Sequence, residues 1–279
     1  MSTNSISNQL SKRLRKIEPH LSTILKGVLR SVKETQNPLR HANAANGLRE
    51  LLREVFETLS PDEDIKDCYW FVPDPSSRNG ITRKHRILYS IHGYVGNALF
   101  PKHFTKQVNS LVKRIGQQTS GLQKLTHINK QSLVIPPAES DRLLSSTLRS
   151  YHRLLETIEK AKEVTLEELS MILSEELDQI FINNVFDKLD ILSTHTRPQY
   201  AEDVTVTIED IDKDTIYFSG YGSILCQLQH GSDGDVARGD GIEYSSNFPF
   251  TFSGSASTDL SEIDVDHDSL DVDTDSFYE

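Results

Sequence analysis

The sequence predicts an α+β protein: a helical bundle, then a small domain with a long helix and antiparallel β-strands, then an acidic tail. Three observations lead there. Apolar residues recur at helical spacing through most of the first 192 residues. The period then changes to two, with Val204, Val206 and Ile208 alternating, followed by Ile216 and Phe218. The last 25 residues interleave Asp with Ser, Thr or Val. The expected parts are a basic helical domain over 1–162, a small α+β domain over 163–252 and a disordered acidic tail over 253–279. Such a tail holds too little apolar surface to offset the entropy lost on ordering.

The elements follow in chain order. Ile17, Leu21, Ile24, Leu25, Val28, Leu29 and Val32 predict one amphipathic helix over 6–36, ended by Asn37-Pro38, because the residue before proline avoids the α region. A second helix begins near Pro38 and carries Leu48, Leu52, Val55, Phe56 and Leu59. Ser60-Pro61-Asp62-Glu63-Asp64 caps a short helical turn, and 67–82, rich in Pro, Gly and Ser, forms a loop holding Trp70, the single tryptophan. Helices are expected over 83–100 and 104–128, and another over 138–162 after Pro136-Pro137. Thr165 with Glu168 reads as a capping box opening a helix to about Leu192. Strands follow, and 230–241, with Gly231, Gly234, Gly239 and Gly241, reads as a long hairpin loop before a last strand over 242–252.

Charge is segregated along the chain. The formal net charge is −11, but residues 259–279 hold nine acids and no Lys or Arg, so residues 1–258 carry −11 + 9 = −2. Residues 75–138 hold ten Lys or Arg and no Asp or Glu; residues 1–40 hold eight basic groups against two acids. A phosphate backbone attracts clustered cations through direct contact and counterion release. Nucleic acid is therefore the expected partner, bound by Arg78, Arg83, Lys84, Arg86, Lys113, Arg114 and Lys124. No run approaches the roughly 20 apolar residues that span a bilayer, and the N-terminus lacks a secretory apolar segment. The two cysteines, Cys68 and Cys226, lie in no metal or redox motif. These features predict a cytoplasmic protein without a membrane partner.

Two further clusters carry possible chemistry. Asp62, Glu63, Asp64, Asp67 and Asp74 border the basic stretch, and one or two carboxylates with substrate phosphates suffice to hold Mg²⁺; the same acids also suit a helix first turn. The cofactor expected is thus Mg²⁺ or none. Asp235, Arg238 and Asp240, in the glycine-rich 231–241 loop, offer a metal or anion site, or simply side chains that bond the loop's own backbone. Asp264-x-Asp266-x-Asp268 matches the start of a calcium loop but lacks its glycine and closing Glu. The tail is also a conceivable nucleic-acid mimic for the basic face.

Four segments carry a family resemblance: SPDEDIKDCYWFVPDPSSRNGITRKHRI (60–87), KLTHI (124–128), LSTHT (192–196) and LQHGSDGDVARGDG…FPF (228–250). Over roughly residues 20–252 the chain resembles the predicted pPIWI-associating nucleases of bacteria. The resemblance implies a largely helical protein of a prokaryotic conflict or defence system, proposed to cleave RNA or DNA, with a pPIWI-type or other defence protein as partner. The helical part also resembles, in general build, the HEPN class of RNA-cutting and RNA-binding bundles. That class pairs an Arg with a His a few residues on; Arg86/His92 and Arg15/His20 have such spacing, though six residues apart is poor alignment on a helix. His127 is a further candidate for general acid or base, with Arg86 brought across from the neighbouring helix; the alternative is a histidine at a helix C-terminus, favourable with the helix dipole. The catalytic set so expected is Arg86, His127 and Asp235. The alternative is a non-catalytic HEPN-like module that binds nucleic acid or a partner and regulates another effector.

Overall fold

The computed structural model describes residues 3–96, 102–127, 136–183, 189 and 191–277. It has two compact units, Met1–Thr165 and Leu166–Glu279.

The first unit is helical: α1 (Thr3–Ile17), α2 (Pro19–Lys33), α3 (Arg40–Leu59), α4 (Asp62–Asp67), α5 (Arg83–His92), α6 (Thr105–Thr126) and the first part of α7 (Pro137–Asn183). Their apolar stripes meet in one core that includes Leu10, Leu14, Leu25, Leu48, Ile87, Ile115, Leu148 and Leu155. The single helix expected over 6–36 is two. Glu18 lies at φ −158° because Pro19 forbids it the α region, and Pro19 starts α2 at a position where its missing N–H costs nothing. Helix α5 stops at His92 rather than running on, since Gly93 takes φ +57°; residues 97–100 of the expected helix lie outside the described residues.

The break expected at 162–165 is absent. Helix α7 runs straight through, and Thr165 caps nothing: its hydroxyl donates to the Ala161 carbonyl at 2.8 Å. Lys162, Glu163 and Val164 contain no helix breaker, and a threonine inside a helix satisfies its hydroxyl on the preceding turn. The expected end near Leu192 falls beside residues 184–188 and 190, outside the described ones.

In the second unit β1 (His195–Ile211), β2 (Thr215–His230) and β3 (Ile242–Ser257) form an antiparallel sheet, with β4 (Ile263–Val265) and β5 (Asp271–Val272) both paired to β3. Ile216, Phe218, Ile224, Cys226 and Leu228 alternate inward on β2 opposite Phe248, Phe250 and Phe252 of β3. Leu169, Leu173, Leu177 and Phe181 of α7 are fully buried. Phe181 packs edge-on against Phe250 and Phe252, at 4.7 and 4.8 Å between ring centroids. Gly220 is required by this packing: a Cβ there would stand 2.3 Å from Phe252 and 2.5 Å from the Thr205 carbonyl.

Two expectations change here. The 230–241 connection holds a short helix, α8 (Asp233–Arg238), because Ser232 and Asp235 form a reciprocal capping box and Gly239, at φ +82°, closes it. The acidic tail is folded. Val265 and Val272 are buried as strand residues while the alternating aspartates face out, and the backbone amides of Asp266 and Asp273 donate to Ser253 and Pro249. The Asp/Val alternation is a period-two strand signal that net charge conceals.

Candidate nucleic-acid interface

The segment from Ser60 to Gly96 is held by several polar contacts between its own elements. Thr82 opens α5 with a capping box in which His85 replaces the usual acid: Thr82 Oγ1 accepts from the His85 amide and the His85 ring accepts from the Thr82 amide, both at 3.3 Å. One turn on, Arg86 points back to α4. Its guanidinium donates to the Ser60 carbonyl at 2.8 Å and forms an ion pair with Asp62, whose other oxygen accepts from Asn79 at 2.8 Å. Tyr89 donates to Asp64, and the Trp70 indole donates to the Gly93 carbonyl at 3.1 Å while its ring meets buried His92 edge-on. Burial, with Asp64 and Asp67 adding to it, pushes the Cys68 thiol up to about 12, so it stays protonated at neutral pH.

This geometry answers several sequence expectations. Arg86 spends its donors on Ser60 and Asp62 and does not reach toward His92, which sits against Trp70. Arg15 and His20 fall on different helices, either side of the Glu18 break, and His20 lies 3.6 Å from Glu54. Of the acidic cluster, Asp62 holds Arg86, Asp64 accepts from Tyr89, and Asp74 accepts from the Ser76 amide at 2.8 Å. These carboxylates serve separate partners and do not fit a shared Mg²⁺. Among the described residues no group of three or more His, Cys, Asp or Glu side chains is gathered to hold a metal ion. Asp266 likewise caps its own 267–269 turn.

The basic residues divide differently. Arg78, Arg83 and Lys84 are exposed at the loop and first turn of α5; Lys113, Arg114 and Lys124 are exposed along α6. Among the described residues none of these six has a carboxylate within ion-pair distance, in contrast to Arg86. His127 is exposed at the C-cap of α6, next to Thr126, whose hydroxyl accepts from Arg49 at 3.1 Å. The charges of Arg83 and Arg49 both bear on buried Tyr151, so these two arginines belong to one neighbourhood. Arg49 escaped the sequence reading because it stands outside the acid-free stretch.

In the second unit Asp235, Arg238 and Asp240 do come together. Asp235 accepts from Ser232 and from Arg238 at 2.6 Å, and Asp240 lies 3.8 Å from Arg238. Hydrogen bonds from Ser232 and then Arg238 hold the Asp235 carboxyl below the usual range. The cluster closes on itself as a helix cap, with every partner supplied by the loop.

A second basic region lies where no sequence motif pointed. A groove of about 640 Å³ runs between α1 and α7 in the helical unit. One wall carries Gln9, Lys12, Arg13 and Lys16, the other Arg149, His152, Arg153 and Glu156, each set spaced to share one helix face. Burial, then the charge of Arg13, holds the His152 imidazole below its ordinary value against the opposing pull of Glu156, with Arg153 adding to the lowering. Helical spacing of cations on α1 was visible in sequence; its pairing with a stripe 140 residues away was not.

Two family models, both described as predicted pPIWI-associating nuclease, match residues 14–151 and 158–278 of the chain. No curated protein and no solved structure matches.

Proposed function

Since the chain belongs to the predicted pPIWI-associating nucleases, we propose that it cleaves phosphodiester bonds of RNA or DNA in a prokaryotic defence system, beside a pPIWI-type protein. The helical unit holds the nucleic acid. The observation that carries this reading is the exposed set Arg78, Arg83, Lys84, Lys113, Arg114 and Lys124, cations with no carboxylate partner among the described residues. Exposed, unpaired cations gain free energy by displacing counterions from phosphates. His127, exposed near Arg49, is the proton-transfer group of the set. Arg86 acts on the chemistry only by positioning α5 against α4, and Asp235 supplies the cap of the β2–β3 connection.

Purified full-length protein incubated with end-labelled RNA and single-stranded DNA, with Mg²⁺, Mn²⁺ or EDTA, tests this directly. Shortened products that disappear in His127→Ala are expected; intact substrate under every condition overturns the enzymatic part. The second reading is a regulatory module that binds nucleic acid without cutting it. What favours it is the engagement of Arg86, the best-placed sequence candidate, in structural bonds alone. Tight, salt-dependent binding without products is its signature.

A further inference from the structure

The groove between α1 and α7 carries charges that its own walls do not balance. Arg13 is neutralised there, ion-paired to Glu159 and 3.9 Å from Glu156. Lys12, Lys16, Arg149 and Arg153 face the same space, are exposed, and have no carboxylate at ion-pair distance among the described residues. A smaller cleft of about 240 Å³ shares Arg153 and Glu156 with the groove and leads to Arg114 on α6. Cations thus line the space from α1 across α7 to α6, with Glu156 and Glu159 among them. Clustered cations of this kind meet the phosphates of a nucleic-acid strand.

We propose that the groove between α1 and α7 is a site for a single-stranded nucleic acid, in which Lys12, Lys16, Arg149 and Arg153 hold successive phosphates. The inference rests on the reading of the protein as one that acts on nucleic acid and gives the strand a path. The strand enters along α1, passes Arg153 and leaves over Arg114 toward the exposed cations of α6.

Binding is measured by fluorescence anisotropy with labelled 12-nucleotide single strands of RNA and DNA of one sequence, in EDTA, on full-length protein. The double variant Arg149→Gln/Arg153→Gln, at exposed positions that do not threaten folding, loses affinity for both by on the order of tenfold per charge at low salt. Its slope of log affinity against log salt flattens by about 1.4, two phosphate contacts at about 0.7 each on a single strand. If poly-glutamate of equal charge displaces the strand as well as unlabelled nucleic acid does, the nucleic-acid assignment is wrong. If the groove variants bind as wild type while Arg83→Gln/Lys84→Gln/Lys124→Gln does not, the groove is wrong and the proposed function stands. Failure of wild type to bind either strand overturns both.

Discussion

Two parts of the helical unit are rich in charge and put it to different uses. In the Ser60–Gly96 segment each cation or acid that points inward meets a complement: Arg86 with Ser60 and Asp62, Tyr89 with Asp64, His85 with Thr82. In the groove between α1 and α7 four exposed cations have no such complement among the described residues. The inward contacts of the segment are made by the protein itself, and its exposed Arg78, Arg83 and Lys84 stand apart from them. The cations of the groove gain free energy from a ligand that brings phosphates. Sequence alone ranks the two the other way, because the segment is rich in unusual residues while the groove is assembled from ordinary Lys and Arg on helices far apart in the chain. What separates a fold lock from a site is not residue type but whether the groups satisfy each other.

The sharpest way to break this comparison is Arg86→Leu. The change leaves the fully buried Ser60 residue with an unsatisfied carbonyl and removes the partner of Asp62. The expected loss is about 1–3 kcal/mol, or a Tm lower by about 6 °C for a unit of this size, read by urea and thermal unfolding. RNA affinity of the protein that remains folded should stay within about twofold. A variant of full stability that no longer binds RNA would place Arg86 among the ligand-binding groups and erase the distinction drawn above. Arg153→Gln is the mirror case. The side chain is exposed, so stability should change by no more than about 0.5 kcal/mol, while RNA binding weakens by about tenfold at low salt. A stability loss as large as that of Arg86→Leu would make the groove another structural lock.

Much of the fold was legible, and the exceptions have physical causes. The 3.6-residue stripes on α3 and α6 and the alternation on β2 report burial directly, since one face of each meets a core. Proline was readable at Pro38 but underweighted at Pro19, where apolar spacing continues across the break and hides it. Thr165 shows the converse: a capping-box pattern is only a local option, and an unbroken helical context on both sides overrides it. The tail misled through its charge. Ile263, Val265 and Val272 need only one apolar face to join β3, and aspartates on the outer face do not oppose that. The α8 turn was hidden because its glycines suggested a loop, although Ser232 and Asp235 carried the cap. The site was far less legible than the fold. Charge segregation pointed to the helical unit, yet among the described residues the acid-free window of 75–138 contributes one cation, Arg114, and that to the smaller cleft beside the groove. Lys12, Lys16, Arg149 and Arg153 become a site only when α1 and α7 face each other, and that is long-range information.

The smallest effect concerns protons. His152 is the titratable group of the groove whose ordinary range lies near neutrality. Burial and Arg13 depress it, Arg153 adds to this and Glu156 opposes it, while Lys12, Lys16, Arg149 and Glu159 line the same space. A folded-state value below the unfolded one means that His152 contributes stability above about pH 6.5, lost progressively as pH falls toward the folded value. A bound polyanion reverses the balance, because phosphates offset the arginines and favour the imidazolium. RNA binding should then take up a proton and tighten between pH 7.5 and 6, by less than about tenfold for a shift of one unit. The same acidification lowers the stability of the unbound protein. His152→Gln should flatten the pH dependence of binding and remove its own share of the acid loss of stability, whereas Arg86→Leu should leave the binding profile as it is. Opposite signs for binding and stability, both cancelled by one substitution, mark a group that awaits a ligand. If RNA affinity is the same at both pH values in wild type and His152→Gln, His152 stays neutral whether or not the groove is filled, and its place between the two arginines is a matter of packing.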